Sequence, residues 1–257
     1  MGGRANVKKA LKLYMLSAEQ GHPPALLQLA RLHRDGVPGL VKQSDAKALD
    51  YELRAADLGN FHAMTNFAVM CFQGKQHRGL EYDFPAATKY ATLASFYATD
   101  KSADIANTIL GSMFLDGQDE DGLGKKSYNL ATHYLGIAVK SDPPVFNGLA
   151  SLNFGRAMVA QAEALYGMHL NGRNVIPRSA YWLRKSLAAG HEGAKEILNN
   201  IESMEVGKCS ACGEKEKSSD KKFLCCGRCR IYWFCSKECQ VASWKAGHKL
   251  DCKSSFC

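Results

Sequence analysis

Residues capable of chemistry crowd into the last fifth of the chain. Nine of its ten cysteines lie between Cys209 and Cys257, while Cys71 stands alone. Cys209 and Cys212 form one C-x-x-C pair, and Cys226 and Cys229 form a second. Cys235 and Cys239 follow with three residues between them, and His248 and Cys252 close the set with the same gap. Thiolates and imidazoles are the donors that hold zinc, four to an ion in a tetrahedron, so eight of them suffice for two zinc ions. The 20-residue stretch Met1–Gln20 interleaves lysines with apolar residues at helical spacing, unlike a secretory leader. Paired cysteines without a leader point to metal thiolates in a reducing compartment, cytoplasmic or nuclear, rather than to disulfides.

The same physics assigns these ions a structural role. A segment of about 50 residues buries too little apolar surface to fold alone, and a structural zinc contributes roughly 10–16 kcal/mol in small fingers. With every coordination position filled by protein, no site remains for a reactive water. Spacing leaves open whether the pairs share ions in sequence or interleaved. Cys225 is a spare: pairing it with Cys229 would leave three intervening residues instead of two, so Cys226 is the assigned ligand. Cys225 and Cys257 then read as free thiols.

The order C-x2-C, C-x2-C, C-x3-C, H-x3-C, with Cys239, Gln240 and Trp244 before the histidine, resembles the MYND-type zinc finger over residues 209–252. The resemblance implies interleaving: Cys209, Cys212, Cys235 and Cys239 on one ion, and Cys226, Cys229, His248 and Cys252 on the other. It also implies a small surface for proline-containing peptides at Gln240 and Trp244, which share a helix face if the segment is helical. The alternative for Trp244 is packing into the small core against Ile231 or Trp233. Phe234 stands where the family usually has tyrosine. Eight residues separate Cys239 from His248, one more than the commonest form, and the extra residue extends a turn at Gly247.

The elements that must carry this finger have a different grammar. Residues Lys8–Gly36 align without a gap on Ala46–Gly74, a period of 38. Ala10 meets Ala48, Ala18 meets Ala56, Gly21 meets Gly59, Ala25 meets Ala63, Leu29 meets Phe67 and Gly36 meets Gly74. Such a period signals stacked supersecondary units, here helix, glycine turn, helix, glycine loop. A third unit runs from about Pro85 to Gly117, with Ala87, Tyr90, Leu93, Ala106 and Leu110 as anchors. A fourth runs from about Ser127 to Gly172, with Ala131, Tyr134 and Leu165 as anchors and an insertion over Ser141–Arg156 that holds Pro143 and Pro144. A partial unit, Ser179–Ile201, repeats the Gly-His-x-x-Ala step at Gly190, His191 and Ala194. His22 and His191 read as structural turn residues and Cys71 as a small core residue. The pattern A-x-x-[YW]-x-x-x-A-x-x-G-[HN]-x-x-A resembles the Sel-one-like repeats, relatives of the tetratricopeptide repeats. That resemblance implies a protein-binding adaptor surface and no catalysis.

The expected fold class is therefore all-α: a right-handed α-solenoid of four to five helical hairpins over residues 1–203, followed by a small zinc-stabilised MYND-like finger over 204–257. The expected function is a non-enzymatic adaptor for protein partners. The alternative is a nucleic-acid-associated or transcriptional regulatory factor, because net charge is +8 and residues 205–257 hold eleven basic against six acidic side chains. Thiolates on the ions reduce that charge, and Glu214–Lys222 alternates both signs like a solvated loop, so nucleic acid is the weaker reading. Enzyme motifs fail at named residues. His191–Lys195 lacks the second histidine of H-E-x-x-H, Gly122–Ser127 lacks the first glycine of a P-loop, and Asp116–Gly122 lacks an EF-hand's closing glutamate. No run of about 18 apolar residues exists, so no membrane span is expected.

Overall fold

A computed structural model describes residues 2–73, 83–117, 126–140, 148–166, 175–205, 208–215 and 223–252. Its helices come in consecutive pairs: α1 (Gly2–Glu19) with α2 (Pro23–Asp35), α3 (Asp45–Asp57) with α4 (Phe61–Gln73), α5 (Phe84–Tyr97) with α6 (Lys101–Asp116), α7 (Tyr128–Ala138) with α8 (Leu149–Tyr166), and α9 (Val175–Ala188) with α10 (Gly193–Glu205). After them come two short strands, β1 (Leu224–Cys225) and β2 (Trp233–Phe234), and helix α11 (Lys237–Ser243).

One turn design recurs in three hairpins. Gly21, Gly59 and Gly190 adopt φ of +74°, +85° and +94°, a left-handed conformation that glycine enters without steric cost. Each donates its N–H three residues back, and the next residue's N–H reaches five back: His22 to Ser17, Asn60 to Ala55 and His191 to Ser186. These bonds satisfy the carbonyls a helix end leaves open. The following helix starts with its own device. Pro23 and Pro24 open α2 where no N–H is needed, while Asn60 Oδ1 accepts from the Ala63 N–H at 2.9 Å. His22 and His191 thus occupy equivalent turn positions.

The chain divides into two compact bodies, and the division falls within α6, between Leu110 and Gly111. In the first body, α2 packs on α3, α3 on α4 and α4 on α5. Buried alanines at positions 25, 48, 55, 63, 68 and 87 let these helices approach closely, with Leu29, Phe67 and Tyr90 filling between them. Tyr90 Oη donates to Asp57 Oδ1 at 2.6 Å. Buried Glu52 pairs through Oε1 with Arg34, which offsets part of the cost of burying its charge. Cys71 is buried, and its thiol is pushed up to about 12 by burial and by the nearby Asp83 carboxylate, so it is an inert core thiol. A cavity of about 550 Å³ opens between α1, α2, the 36–44 connection and α3.

In the second body, α7 packs on α8, α8 on α9 and α9 on α10. Two glycines set the closest approaches. A Cβ on Gly111 would meet Leu135 Cγ at 2.3 Å, and one on Gly155 would meet Leu183 Cγ at 2.6 Å. Each time, a leucine of the next hairpin seats in the notch left by the missing side chain. Asn153 Nδ2 donates to Ser112 Oγ at 2.8 Å, and Arg156 links Asn153 to Asp116.

The fourth unit is organised differently from its sequence reading. Residues 149–156, taken as part of an insertion, open α8, and the buried positions are Ala150, Phe154, Ala157, Met158 and Ala162. Leu165, taken as an anchor, is 61% exposed, three residues beyond buried Ala162 and near the end of α8. Gly74, Pro143, Pro144, Gly172 and Cys257 lie outside the described residues, as do most of the acidic run after Asp116 and of the 214–222 loop.

Candidate metal centre

The finger is built from two copies of one tight turn. In the first, the Gly213 N–H returns to the Cys209 carbonyl at 2.8 Å; in the second, the Arg230 N–H returns to the Cys226 carbonyl at 2.9 Å. Both closing residues are left-handed, Gly213 at φ +79° and Arg230 at φ +55°. Each C-x-x-C pair therefore sits on a loop with its sulfurs turned to one side. Backbone N–H groups converge on the leading sulfurs. Hydrogen bonding by Cys229, opposed by burial and aided by His248, pulls the Cys226 thiol down to about 3. At Cys209, burial acts to raise the thiol, but backbone N–H groups of Cys212, Cys235 and Ala211 outweigh it and bring the value to about 6. In each loop the leading sulfur is the one favoured as a thiolate, the form that binds metal, while hydrogen bonding to Cys226 pushes Cys229 up, hydrogen bonding to Cys239 pushes Cys235 up, and burial pushes Cys252 up.

Strand β2 explains how the pairs are shared. It pairs antiparallel with β1, Leu224 against Phe234 and Cys225 against Trp233, beside the second loop. Its Trp233 also exchanges bonds with the first loop: the Ser210 N–H donates to the Trp233 carbonyl at 2.8 Å, and the Trp233 N–H donates to Ser210 Oγ at 3.1 Å. The strand lies between both loops and delivers Cys235 to the first. Ser236 caps α11 by accepting the Cys239 N–H at 3.3 Å, which places Cys239 in the same group. After α11 the chain widens over Trp244–His248, with Gly247 at φ +124°, and returns His248 and Cys252, one helical turn apart, to the second loop.

The eight side chains fall into two groups: Cys209, Cys212, Cys235 and Cys239, and Cys226, Cys229, His248 and Cys252. The geometry suits tetrahedral zinc. Sulfurs about 2.3 Å from a central ion lie about 3.8 Å apart along each edge. Cys212 and Cys235 Sγ are 3.7 Å apart, Cys235 and Cys239 Sγ 3.5 Å, and Cys226 and Cys252 Sγ 3.7 Å. His248 Nε2 lies 3.3 Å from Cys226 Sγ and 3.8 Å from Cys229 Sγ. These separations far exceed the roughly 2.05 Å of a disulfide. Four soft donors of one kind, and three with one imidazole, are zinc sets by their chemistry as well. Cys225 stands outside both groups, its S–H directed at the Cys226 carbonyl at 3.8 Å.

The two groups differ in surroundings. In the first, Cys212 is exposed and Cys235 and Cys239 are half-buried. In the second, Cys226, Cys229, His248 and Cys252 are 5%, 0%, 1% and 2% exposed. Tyr232 stacks on the His248 ring at 4.7 Å, and Phe234 and Trp244 meet it edge-on at 6.2 and 5.6 Å. Trp244 rests edge-on against His248, with 36% of its surface exposed. Gln240 is half-buried, one turn before Trp244, and accepts from Lys237 Nζ at 2.8 Å. Sequence reasoning noted Phe234 only as a departure from the family pattern and missed the roles of Tyr232 and of Arg184, whose Nη1 donates to the Cys229 carbonyl at 2.8 Å. The apolar run Ile231–Phe234 was the available signal.

Fold and site together define a helical-repeat protein carrying a two-cluster Cys/His finger. Family comparison places Sel1 repeats at residues 1–22, 23–60, 62–95, 105–142 and 160–191, well over half the chain, and a MYND finger at 209–252. The chain belongs to the Sel1 repeat family. Its fold is similar to that of a Sel1 repeat protein from Oxalobacter formigenes, with a TM-score of 0.54 at 19% identity over 76% of this chain and 70% of that one. It is also similar to a protective antigen of uropathogenic Escherichia coli with an SLR fold, with a TM-score of 0.53 at 20% identity over 93% of this chain and 41% of that one. Shorter stretches resemble curated proteins. One is 45% identical over 49 residues to ubiquitin carboxyl-terminal hydrolase 19 of Arabidopsis thaliana, covering 19% of this chain and 6% of that protein. Another is 39% identical over 59 residues to chitin synthase regulatory factor 1 of Schizosaccharomyces pombe, covering 23% and 13%. The matches thus span only a small part of either relative. Among the described residues no helix is long and apolar enough to cross a membrane.

Proposed function

We propose that this protein is a non-enzymatic adaptor whose finger holds two zinc ions and binds a proline-containing peptide across Gln240 and Trp244, while the repeats hold a second protein partner. One observation carries the reading: each group supplies four protein donors, a closed set that leaves the ions no open position for substrate. The finger's remaining resource is its surface, where the exposed part of Trp244 lies one turn from Gln240. On the repeats, the cavity between α1, α2 and α3 is walled by Leu11, Met15, Leu29 and Tyr51 and rimmed by Lys42 and Lys47. Neither lysine has an ion-pair partner among the described residues, which suits a partner segment placing an apolar side chain beside a carboxylate.

Titration of the zinc-loaded full chain with a fluorescently labelled proline-rich peptide tests the finger. Binding should be saturable, persist in high salt, and weaken about tenfold or more in Trp244→Ala, the usual scale for loss of an aromatic anchor, with zinc content unchanged. Equal affinity in the variant, or no saturation, would sink the peptide assignment.

A further inference from the structure

The second metal group does not have a core of its own. Ala180 and Leu183 of α9, Ala194, Leu198 and Ile201 of α10, and Ala162 of α8 form one continuous buried cluster with Ile231, Tyr232 and Phe234 of the finger. Three of the four ligands, Cys226, Cys229 and Cys252, belong to the same cluster. The turn Lys249–Asp251, just before Cys252, also touches α9.

A polar clamp spans the same junction. Arg184 of α9 is largely buried, with 21% of its side chain exposed. One arm of its guanidinium donates to the Cys229 carbonyl at 2.8 Å, and the other donates to Glu202 Oε1 of α10 at 2.9 Å. A planar fork held by two fixed acceptors leaves little freedom to either.

We propose that the last helical hairpin forms part of the second metal site: Arg184 positions the Cys229 loop, and closing that site on zinc locks α9 and α10 in place. Metal occupancy then sets the stability of the final repeat, so zinc availability reaches the helical array through this one site. This rests on the metal reading above. Arg184 is a positioning residue, since it acts through the backbone of a ligand.

Hydrogen exchange on the zinc-loaded full chain, before and after chelation, tests the coupling. Chelation should speed exchange in α9 and α10 by about tenfold or more while leaving α3 and α4 unchanged. Unchanged α9 and α10 after complete zinc loss would overturn the inference while leaving the metal reading intact. A protein that holds no zinc at all would sink the metal reading itself. Metal release to a chromogenic chelator tests the clamp. Residues supporting a metal ligand typically carry 10–100-fold in affinity, so Arg184→Gln should speed the slower of two release phases about tenfold and leave the faster one alone. Arg184→Lys, which keeps the charge but not the fork, should recover part of that loss. Unchanged phases in Arg184→Gln, or equal acceleration of both, would contradict the positioning role.

Discussion

The finger's two metal groups share a loop design but differ in what surrounds them. Both begin with a C-x-x-C turn closed by a left-handed residue and with backbone N–H groups aimed at the leading sulfur. The first is completed by Cys235 and Cys239 at the finger's open side. The second is completed by an imidazole held among Tyr232, Phe234 and Trp244, and it shares its apolar surroundings with α9 and α10. A shared loop design therefore has two consequences: the first group joins parts of the finger to one another, and the second shares its core with the repeats.

The largest effect that sharpens this contrast comes from the ligands. Cys226→Ser should remove one zinc equivalent and destabilise α9 and α10 along with the finger, by a sizeable share of the roughly 10–16 kcal/mol a structural zinc contributes. Cys212→Ser should remove one equivalent with little change in the helices. Zinc analysis paired with thermal unfolding by far-ultraviolet circular dichroism separates the two, and equal helix destabilisation by both would erase the distinction.

A repeat-side substitution comes next. Gly155→Ala places a Cβ against Leu183, a residue of the shared cluster. Overpacking of this kind costs about 1–3 kcal/mol. Chemical denaturation should show that loss, and Gly155→Ala should cost less when measured in a Leu183→Ala background, where the crowding atom is gone. Gly213→Ala is milder. Nothing lies within 4 Å of the added Cβ, so only the left-handed backbone is penalised, by about 1–2 kcal/mol, and zinc release from the first group alone should quicken. Cys225→Ser should be the smallest, within about 0.5 kcal/mol of the parent, with two zinc ions retained.

The donors and the repeats were legible in the sequence for physical reasons. Metal ligands cannot be exchanged for other residue types, so Cys209 through Cys252 announce themselves by spacing. The Gly21, Gly59 and Gly190 turns do so because few residues fit a left-handed helix end. The fourth unit was less legible. Its α8 starts at Leu149, and proline in the preceding stretch masked the start of a helical pattern whose buried stripe runs through Ala150, Phe154 and Ala157. The shared core was hidden for a different reason. Ile231, Tyr232 and Phe234 read the same whether they fill a finger or meet a neighbour, and Arg184 reads as one more basic residue on a helix. Cysteine density separates residues 1–203 from 204–257, but apolar packing runs across that line.

Native mass spectrometry of the full chain, purified under reducing conditions without chelator, tests the central claim most directly. The account predicts a chain heavier by two zinc ions, with the mass reduced by the protons that coordinating thiolates release. A metal-free chain, or one whose mass shows the cysteines joined to one another, would contradict it.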